Sequence, residues 1–406
     1  MLVARHARDI TGRRLLRSVS VRVLMLAWDL PPHQLTGVSA HVEGLSRALA
    51  RAGHDVVVLG RADGDVDATV DQRVLPGVRV LRASIDLPWL PDDDVVLNTV
   101  SANHHLVQLL AQLGDWRPDV VHAHDWNVAW AADAVSTLTG APLVATIHAT
   151  ERGRHGGHVP QGVPAAINSV EWWLAWQARS VVCCSRFMMR EVLDGFDLDA
   201  ERVHLIPHGV DTNSWRPPET ASVREPLVFA WGRVQYEKGF QVLAQAMARL
   251  RGRVPGISCI IAGRGSYLAE LQSQLDLEGV GDIVQIPGFV PDHELRTLLH
   301  RAGCVVIPSL YEPFGIVALE AMAADAPLVA ARTGGLAEIL EGTDAGLLFE
   351  PGNAVRLAET IEGLLTDRQL ADQLRANAQR LLAGHYSWDA IADTTSALYE
   401  RVINGR

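Results

Sequence analysis

Two glutamates eight residues apart flank the point where a predicted strand gives way to a helix. Glu312 precedes Gly315 and Glu320 follows it, while Val305–Ile307 is a short run of β-branched residues just upstream. Such a run predicts a buried parallel strand, and the loop after it lies at the carboxyl edge of the sheet, where open α/β folds bind ligands. Ionised carboxylates only accept hydrogen bonds. The pair is therefore suited to hydroxyl groups, with Glu312 on a sugar and Glu320 on a ribose.

Backbone N–H groups between the two glutamates are the second feature of this loop. The first N–H groups of a helix have no partner inside it, so those around Phe314, Gly315 and Ile316 are available to a ligand. A phosphate binds readily at such a helix start, and the missing side chain of Gly315 lets the backbone approach it closely. The loop predicts a sugar-nucleotide pocket with a diphosphate at the helix N-terminus.

Two cations occupy an equivalent position after another strand. Arg233 and Lys238 lie in the segment Trp231–Gly239, which leaves a predicted strand and enters a helix. Both cations are thus expected at the carboxyl edge of their sheet. An arginine presents a planar fork to phosphate oxygens and a lysine adds a compact charge, so together they suit the negative charge that collects on a departing diphosphate.

These motifs resemble those of the retaining glycosyltransferases with two facing Rossmann-like domains, the GT-B fold. The likeness runs from about Val21 to the C-terminus and is strongest to glycogen and starch synthases and to actinobacterial α-1,4-glucosyltransferases, whose glutamate pair matches Glu312 and Glu320. It implies an α/β fold of two doubly wound domains, with a last helix that crosses back onto the N-terminal domain. It also assigns Arg233 and Lys238 to the donor diphosphate.

The resemblance implies further site residues in the N-terminal half. Gly37 follows the first strand and is expected to offer its backbone N–H to the distal phosphate. Asp125, in the run His122–Trp126, is expected near the glucose and the acceptor. His148, at the end of another strand, matches a histidine beside the transferred sugar, where it acts as a hydrogen-bond partner rather than a proton shuttle.

Some positions depart from the pattern or extend it. Thr36 stands where the resembling enzymes usually have the first of two glycines, and Asp29 stands where many have glutamate. Gly265 and Val290 follow strands and, by resemblance, border the nucleobase. Glu338 either caps its own helix or orients the two cations.

The run His122–Trp126 also raises the question of a metal. His122 and His124 share one face of a strand, as metal ligands can. No third ligand follows at a useful spacing, and the resembling enzymes carry the same run without a metal. We expect both histidines to pack and position their neighbours, with no metal and no cofactor, since the nucleotide-sugar is a substrate.

The elements that must position these residues alternate along the chain. Strand-like apolar runs, seven in the first half and six in the second, are separated by helical stretches, which is the pattern of doubly wound parallel sheets. Polar residues and prolines at 211–220 predict the linker. We expect a basic flexible extension at 1–20, an acceptor-side domain at 21–215, a nucleotide-sugar domain at 216–385 and a returning helix at 386–406.

Length, charge and cysteine content narrow the class of protein. A chain of 406 residues exceeds what one core usually supports. Its net charge of −11 argues against nucleic acid as the main partner, and no apolar run approaches the roughly 20 residues that span a bilayer. The four cysteines lie in apolar runs and fit a reducing cytoplasm rather than disulfides or zinc.

The first twenty residues carry five arginines against one aspartate and lack the apolar stretch of a secretory signal. A flexible tail is the simpler interpretation, and a basic tether to a membrane surface is the alternative. Integral membrane insertion is not expected, whereas peripheral membrane contact stays open.

The residues and the resemblance together predict a cytoplasmic retaining glucosyltransferase. It would move glucose from ADP-glucose or UDP-glucose to the non-reducing end of an α-1,4-glucan, either glycogen or a methylglucose-type polysaccharide. Three alternatives stay open: maltose-1-phosphate synthesis with glucose-1-phosphate as acceptor, mannose transfer to a lipid, and a non-catalytic nucleotide-sugar sensor. A lipid acceptor favours an exposed aromatic face, but Trp172 and Trp176 share a helical face that predicts packing into the core.

Overall fold

A computed structural model describes residues 20–30, 37–62, 76–85, 94–217 and 224–405. Most of the predicted basic extension, and the loop residues 31–36 that include Thr36, lie outside these ranges. In the part of the chain that is described, no helix combines the length and apolar character needed to cross a bilayer.

Two parallel sheets, of seven and six strands within the described ranges, form the framework. Most strands are near-continuous apolar runs, such as β1, in which five of six residues are buried, as expected of parallel strands covered on both faces. All thirteen predicted strands are found. They are β1 Arg22–Ala27, β2 Asp55–Arg61, β3 Arg79–Ala83, β4 Val120–His124, β5 Leu143–Ile147, β6 Ser180–Cys183 and β7 Val203–Leu205, then β8 Glu225–Trp231, β9 Ser258–Ala262, β10 Val284–Gly288, β11 Ala302–Ile307, β12 Leu328–Ala331 and β13 Leu347–Phe349.

Helices connect successive strands and cover both faces of the sheets. They are α1 Gly37–Arg51, α2 Val95–Gln108, α3 Ala129–Thr139, α4 Glu151–Arg154, α5 Val163–Gln177, α6 Arg186–Phe196, α7 Thr212–Trp215 and α8 Phe240–Leu250, then α9 Leu268–Glu278, α10 Asp292–Arg301, α11 Ile316–Ala323, α12 Gly334–Leu340, α13 Ala354–Thr366, α14 Arg368–His385 and α15 Trp388–Ile403. The short helix α7 lies in the segment predicted as linker.

The strand order confirms two doubly wound domains. It is β3-β2-β1-β4-β5-β6-β7 in the first sheet and β10-β9-β8-β11-β12-β13 in the second. Winding therefore reverses between β1 and β4 and again between β8 and β11. Ligand crevices of open α/β sheets lie at the carboxyl ends of strands beside such a reversal. Most predicted site residues follow these four strands or β5, whereas Gly265 follows β9 and Val290 follows β10.

The last helix packs on the N-terminal domain, as predicted. Ile391, Leu398, Tyr399 and Val402 of α15 are buried in one apolar cluster with residues of β1, β2 and α1. The first residue of α15, Trp388, packs directly against Gly44 of α1. A Cβ at Gly44 would lie 2.1 Å from the Trp388 ring. The polypeptide thus returns to its first domain after completing the second.

Loops at the carboxyl edges bring the two domains into contact. The Ser185 hydroxyl, before α6, donates to the carbonyl oxygen of Pro313 at 2.6 Å. The rings of His208 and Phe314, one from each domain, lie 4.7 Å apart. The two predicted halves of the site therefore face each other across one cleft.

Candidate active site

Glu312 is held in place by two neighbours in the C-terminal domain. Its Oε2 accepts a hydrogen bond from Ser309 Oγ at 3.0 Å and an ion-paired one from Lys238 Nζ at 2.8 Å. The N–H of Gly335 donates to the Glu312 carbonyl at 2.9 Å and holds the backbone. Among the described residues no hydrogen bond reaches Glu312 Oε1, so that oxygen keeps its acceptor capacity for a ligand.

The backbone between the glutamates turns sharply at Gly315. Its φ of 107° lies in the region that favours glycine, and a Cβ there would lie 2.5 Å from the Leu336 side chain. Helix α11 begins at the next residue, Ile316. Phe314 is buried. The strand, turn and helix start that the sequence predicted here are all found.

Glu320 lies within α11, largely covered by protein. Burial, reinforced by the charge of Asp292, raises its pKa to about 8, while a hydrogen bond with Trp231 acts in the opposite direction. The neutral carboxyl is therefore favoured at neutral pH, in contrast to the ionised acceptor expected from the sequence. A protonated carboxyl can both donate to and accept from a ribose hydroxyl.

Asp125 and Arg233 approach each other from opposite domains. Asp125 follows β4 with a φ of 63°, and its Oδ1 accepts the His148 N–H at 2.7 Å. Burial raises the pKa of Asp125 to about 6, opposed by that hydrogen bond and by the charges of Arg154 and Arg233. Burial and the positive charge of Arg154 lower the pKa of Arg233. Nearby carboxylates, which include Asp125, raise it.

His148 belongs to a cluster of buried imidazoles at the edge of the first sheet. Its Nε2 hydrogen-bonds His124 Nδ1 at 3.1 Å and its Nδ1 hydrogen-bonds His208 Nε2 at 3.2 Å. The ring of His41, from α1, lies 4.9 Å from that of His148. Burial lowers the pKa of His148 to about 3, so the ring is neutral at physiological pH. The pKa values of His41, His124 and His208 are also lowered, and burial is the main cause in each case.

This cluster overturns the spacing argument made against a metal. Nitrogen atoms of His41, His124 and His148 all lie within 4.8 Å of one another, because the fold supplies partners that local sequence spacing does not reveal. Zinc–nitrogen bonds of about 2.0–2.1 Å place tetrahedral ligands about 3.4 Å apart. His148 already uses both ring nitrogens in hydrogen bonds to His124 and His208, so binding an ion would require breaking at least one of them. His122 is engaged by Tyr399 and Thr146, each at 2.7 Å, in keeping with a positioning role.

The predicted phosphate-binding glycine faces the second domain. A Cβ at Gly37, the first residue of α1, would lie 3.5 Å from Ile316 Cδ1. Gly265 packs so closely on the turn after β8 that a Cβ would lie 2.0 Å from the Val234 carbonyl oxygen. Val290 is buried just before α10. Gly37 therefore lies beside the start of α11, and Gly265 lies beside the segment that carries Arg233.

An open cavity of about 490 Å³ lies beside Trp126 and Arg233. It is lined by both domains, and its walls combine aromatic, cationic and anionic side chains. They include Trp126, Glu151, Arg154, His155, Arg233, Tyr236 and Glu237. A second cavity, of about 870 Å³, continues from it along α6. Of the site residues predicted from the sequence, Arg233 is the one that lines either cavity, and it lines the first.

Comparison with known proteins agrees with this arrangement. The sequence model described as "Glycosyl transferases group 1" matches residues 211–381, and the one described as "Glycosyltransferase Family 4" matches 35–214. A glycogen synthase from Mycobacterium tuberculosis is 37% identical over 393 residues, covering 93% of this chain and 94% of the relative. The chain belongs to the group 1 glycosyltransferases.

Other proteins similar to this group 1 glycosyltransferase carry the names of different enzymes. An alpha-maltose-1-phosphate synthase from Mycolicibacterium smegmatis is 29% identical, covering 94% of this chain and 100% of the relative. Among solved structures, sucrose-phosphate synthase from Thermosynechococcus elongatus superposes with a TM-score of 0.80 at 24% identity, over 95% of this chain and 100% of that chain. The latter similarity confirms the GT-B fold.

Two sequence predictions for this glycosyltransferase are wrong. Glu338 does not cap its own helix or orient the cations: it accepts the N–H groups of Arg186 at 2.9 Å and Phe187 at 2.5 Å, and so caps α6 of the other domain. Trp172 and Trp176 do not pack into the core, since each is 44% exposed. Helical spacing identified their common face but not what covers it.

Sequence reasoning also missed several residues of the site. His41 and His208 join the imidazole cluster only through the fold, and Ser309 binds Glu312 from three residues away. The composition singles out Lys238, which the sequence analysis had already selected. It is the only lysine among the 36 lysine and arginine residues. A chain that uses arginine everywhere else retains the compact ammonium group at this site.

Proposed function

We propose that this enzyme is a retaining α-glucosyltransferase. It would transfer glucose from ADP-glucose or UDP-glucose to the non-reducing end of an α-1,4-glucan. The observation that carries the proposal is the convergence of Arg233, Lys238 and Glu312 from one domain with Asp125 and His148 from the other around a single cleft. The 37% identity to a glycogen synthase over nearly the whole chain supports glucose as the transferred sugar.

In this proposal the C-terminal domain holds the donor. Arg233 and Lys238 bind the diphosphate and stabilise its charge as it departs. Backbone N–H groups near Phe314, Gly315 and Ile316 provide further phosphate donors at the start of α11.

The remaining donor contacts bind the sugar and the nucleoside. Glu312 accepts from glucose hydroxyls through Oε1, and Glu320 binds the ribose. Gly265 and Val290 border the base. Across the cleft, Gly37 offers its N–H to the distal phosphate.

The N-terminal domain positions the sugar and the acceptor. His148 is neutral because burial lowers its pKa to about 3, which supports a hydrogen-bonding role rather than proton transfer. Asp125 already accepts a backbone N–H, so we favour front-face substitution over a covalent intermediate on this carboxylate. The leaving phosphate then helps to deprotonate the acceptor hydroxyl, and no metal takes part.

The proposal places the reaction in a reducing cytoplasm. All four cysteines, Cys183, Cys184, Cys259 and Cys304, are buried free thiols, and burial raises their pKa values. Such thiols are inert and need no oxidising compartment.

The product identifies the reaction directly. Incubation with ADP-glucose or UDP-glucose and glycogen or a maltooligosaccharide is expected to lengthen the chain through α-1,4 bonds. Retention follows because the acceptor enters on the face from which the diphosphate leaves. NMR of the new anomeric signal and digestion by an α-1,4-specific glucanase read this outcome, and a β-linked product would contradict the mechanism.

A second candidate acceptor is glucose-1-phosphate. Arg154 and His155 line both cavities, and Arg152 and Arg190 line the larger one, so cationic groups are available to an anionic acceptor. One relative at 29% identity is an alpha-maltose-1-phosphate synthase. Formation of a disaccharide phosphate without elongation of glucan would replace the glucan assignment with this one.

A further inference from the structure

The hydroxyl of Tyr311 crosses from one domain to the other beside the proposed sugar site. Tyr311 precedes Glu312 in the C-terminal domain and is 8% exposed. Its hydroxyl lies 3.2 and 3.1 Å from the two carboxylate oxygens of Glu191 on α6. It also accepts the N–H of Thr150, which follows β5, at 3.4 Å.

Three residues of the N-terminal domain form a socket for this hydroxyl, namely Thr150, Gly153 and Glu191. The Thr150 hydroxyl donates to Glu191 and accepts the Gly153 N–H at 3.0 Å. A Cβ at Gly153 would lie 2.3 Å from Tyr311 Oη and 2.0 Å from Glu191 Oε1. Gly153 is therefore needed for space, because any side chain would fill the socket.

The socket joins the two segments that carry proposed sugar-binding groups. Thr150 lies two residues after His148, and Tyr311 lies directly before Glu312. The position of one segment relative to the other decides how His148 and Glu312 meet a sugar between them. A displacement of about 1 Å in such a site can lower the rate by about a hundredfold.

We infer that Tyr311 is a positioning residue, whose hydroxyl in the Thr150–Gly153–Glu191 socket sets the closed spacing between Glu312 and His148. Its effect on turnover rests on the proposed function. The cations that bind the diphosphate, Arg233 and Lys238, belong to the C-terminal domain and Gly37 adds one N–H from the other domain, so nucleotide binding depends less on the socket than sugar and acceptor binding do. Loss of the hydroxyl acts on the sugar and the acceptor, and opens the site to water.

The first test is Tyr311→Phe, which keeps the ring and removes the hydroxyl. Turnover is expected to fall by about tenfold, as for loss of a hydrogen bond to a charged group, with Kd for ADP or UDP changed less than about twofold. The fraction of donor hydrolysed instead of transferred is expected to rise. Turnover within about twofold of wild type, or parallel losses in turnover, nucleotide Kd and Tm, would overturn the inference.

Matched variants separate positioning from general stability. Thr150→Val removes the socket hydroxyl at nearly constant volume and is expected to behave like Tyr311→Phe. Thr150→Ser keeps the hydroxyl and is expected to have turnover close to that of the wild type. The double variant Tyr311→Phe with Thr150→Val is expected to lose less than the product of the single losses, because both act on one contact. Tyr399→Phe removes another buried hydroxyl, the one bonded to His122, and is expected to leave the transfer-to-hydrolysis ratio unchanged.

A readout independent of sugar transfer keeps the inference testable if the proposed reaction is wrong. Hydrogen exchange at residues 150–154 and 186–191 reports whether the socket is closed, with or without ADP or UDP. Faster exchange there in Tyr311→Phe than in Tyr399→Phe supports the closing role, and equal exchange refutes it. A wild-type enzyme that shows this protection but transfers no glucose would refute the proposed function alone.

Discussion

The two sheets present chemically different edges to the cleft between them. The N-terminal edge carries His41, His124, His148 and His208, which are buried and whose pKa values burial lowers. The C-terminal edge carries the ion pair of Lys238 and Glu312 together with the cation of Arg233. The N-terminal side thus carries four neutral imidazoles besides Asp125 and Arg154, whereas the C-terminal side carries an ion pair and a further cation.

This difference matches the two kinds of ligand that the proposed reaction brings together. A departing diphosphate gathers negative charge, so cations at the C-terminal edge stabilise the transition state more than the ground state. A sugar is uncharged, and neutral hydrogen-bonding groups can hold it without a counter-ion. Charge removal should therefore affect the C-terminal edge most, and acidification the N-terminal one.

The largest effect is expected from removing the charge of Lys238. Lys238→Ala should lower turnover because it removes about 3 kcal/mol of transition-state stabilisation, and donor affinity should change less. Lys238→Arg should restore activity only in part, because a planar fork does not replace a point charge. Steady-state kinetics measure both. Arg356→Ala, at an exposed cation on α13, is the control.

Chemical modification tests the same residue without mutation. Since Lys238 is the only lysine, an amine-acylating reagent can react only there and at the terminal amine. Inactivation that ADP or UDP prevents is the expected result. Turnover of Lys238→Ala within a few-fold of the parent enzyme would refute the phosphate role.

Acidification should destabilise the N-terminal edge. The folded-state pKa of His148 is about 3 and an unfolded histidine titrates near 6.5, so the unfolded state binds protons first. Stability from this ring is complete above pH 6.5 and is lost as pH falls towards 3, with a slope approaching 1.4 kcal/mol per pH unit per imidazole.

Urea unfolding at several pH values between 7.5 and 5 measures this slope. His208→Asn should flatten it by removing one buried imidazole, whereas His104→Gln, at an exposed site on α2, should leave it unchanged. A slope that is the same in His208→Asn and the parent protein would show that the cluster does not titrate as a buried unit.

The smallest effect is expected from truncation ahead of the first sheet. The sequence predicts no strand or apolar helix ahead of Val21, and the described chain is anchored at this point because the Ser20 hydroxyl donates to the Gly53 carbonyl and the Val21 N–H donates to His54. Removing residues 1–19 should leave folding and activity on soluble glucan unchanged. Aggregation or loss of that activity in the purified truncation would contradict this, and selective loss on membrane-associated substrate would support the tether.

Local patterns predicted much of this molecule because their physical causes are local. The strands are apolar runs too short and too β-branched to be helices, and the sequence predicted all thirteen of them. The loop from Glu312 to Glu320 needs only a strand, a glycine with positive φ and a helix start, all between Val305 and Glu320. Lys238 and Arg233 follow β8 by the same logic.

Long-range contacts were not predictable from such patterns. Glu338 caps α6 although about 150 residues separate them, and His41 meets His148 across more than one hundred positions. Trp172 and Trp176 share the face that periodicity indicated, yet each is 44% exposed. Periodicity reports which side chains share a face and carries no information about which element covers it.

The placement of residues at the carboxyl edges of the sheets follows from primary structure alone, since it depends on the order of strand, loop and helix along the chain. That order selected Glu312, Arg233, Lys238, Asp125 and His148. The way in which the two edges meet follows from the packing of the two domains. Burial, the neutrality of the imidazoles and the fit of a tyrosine hydroxyl between domains depend on distances between segments far apart in sequence, and packing alone determines those distances.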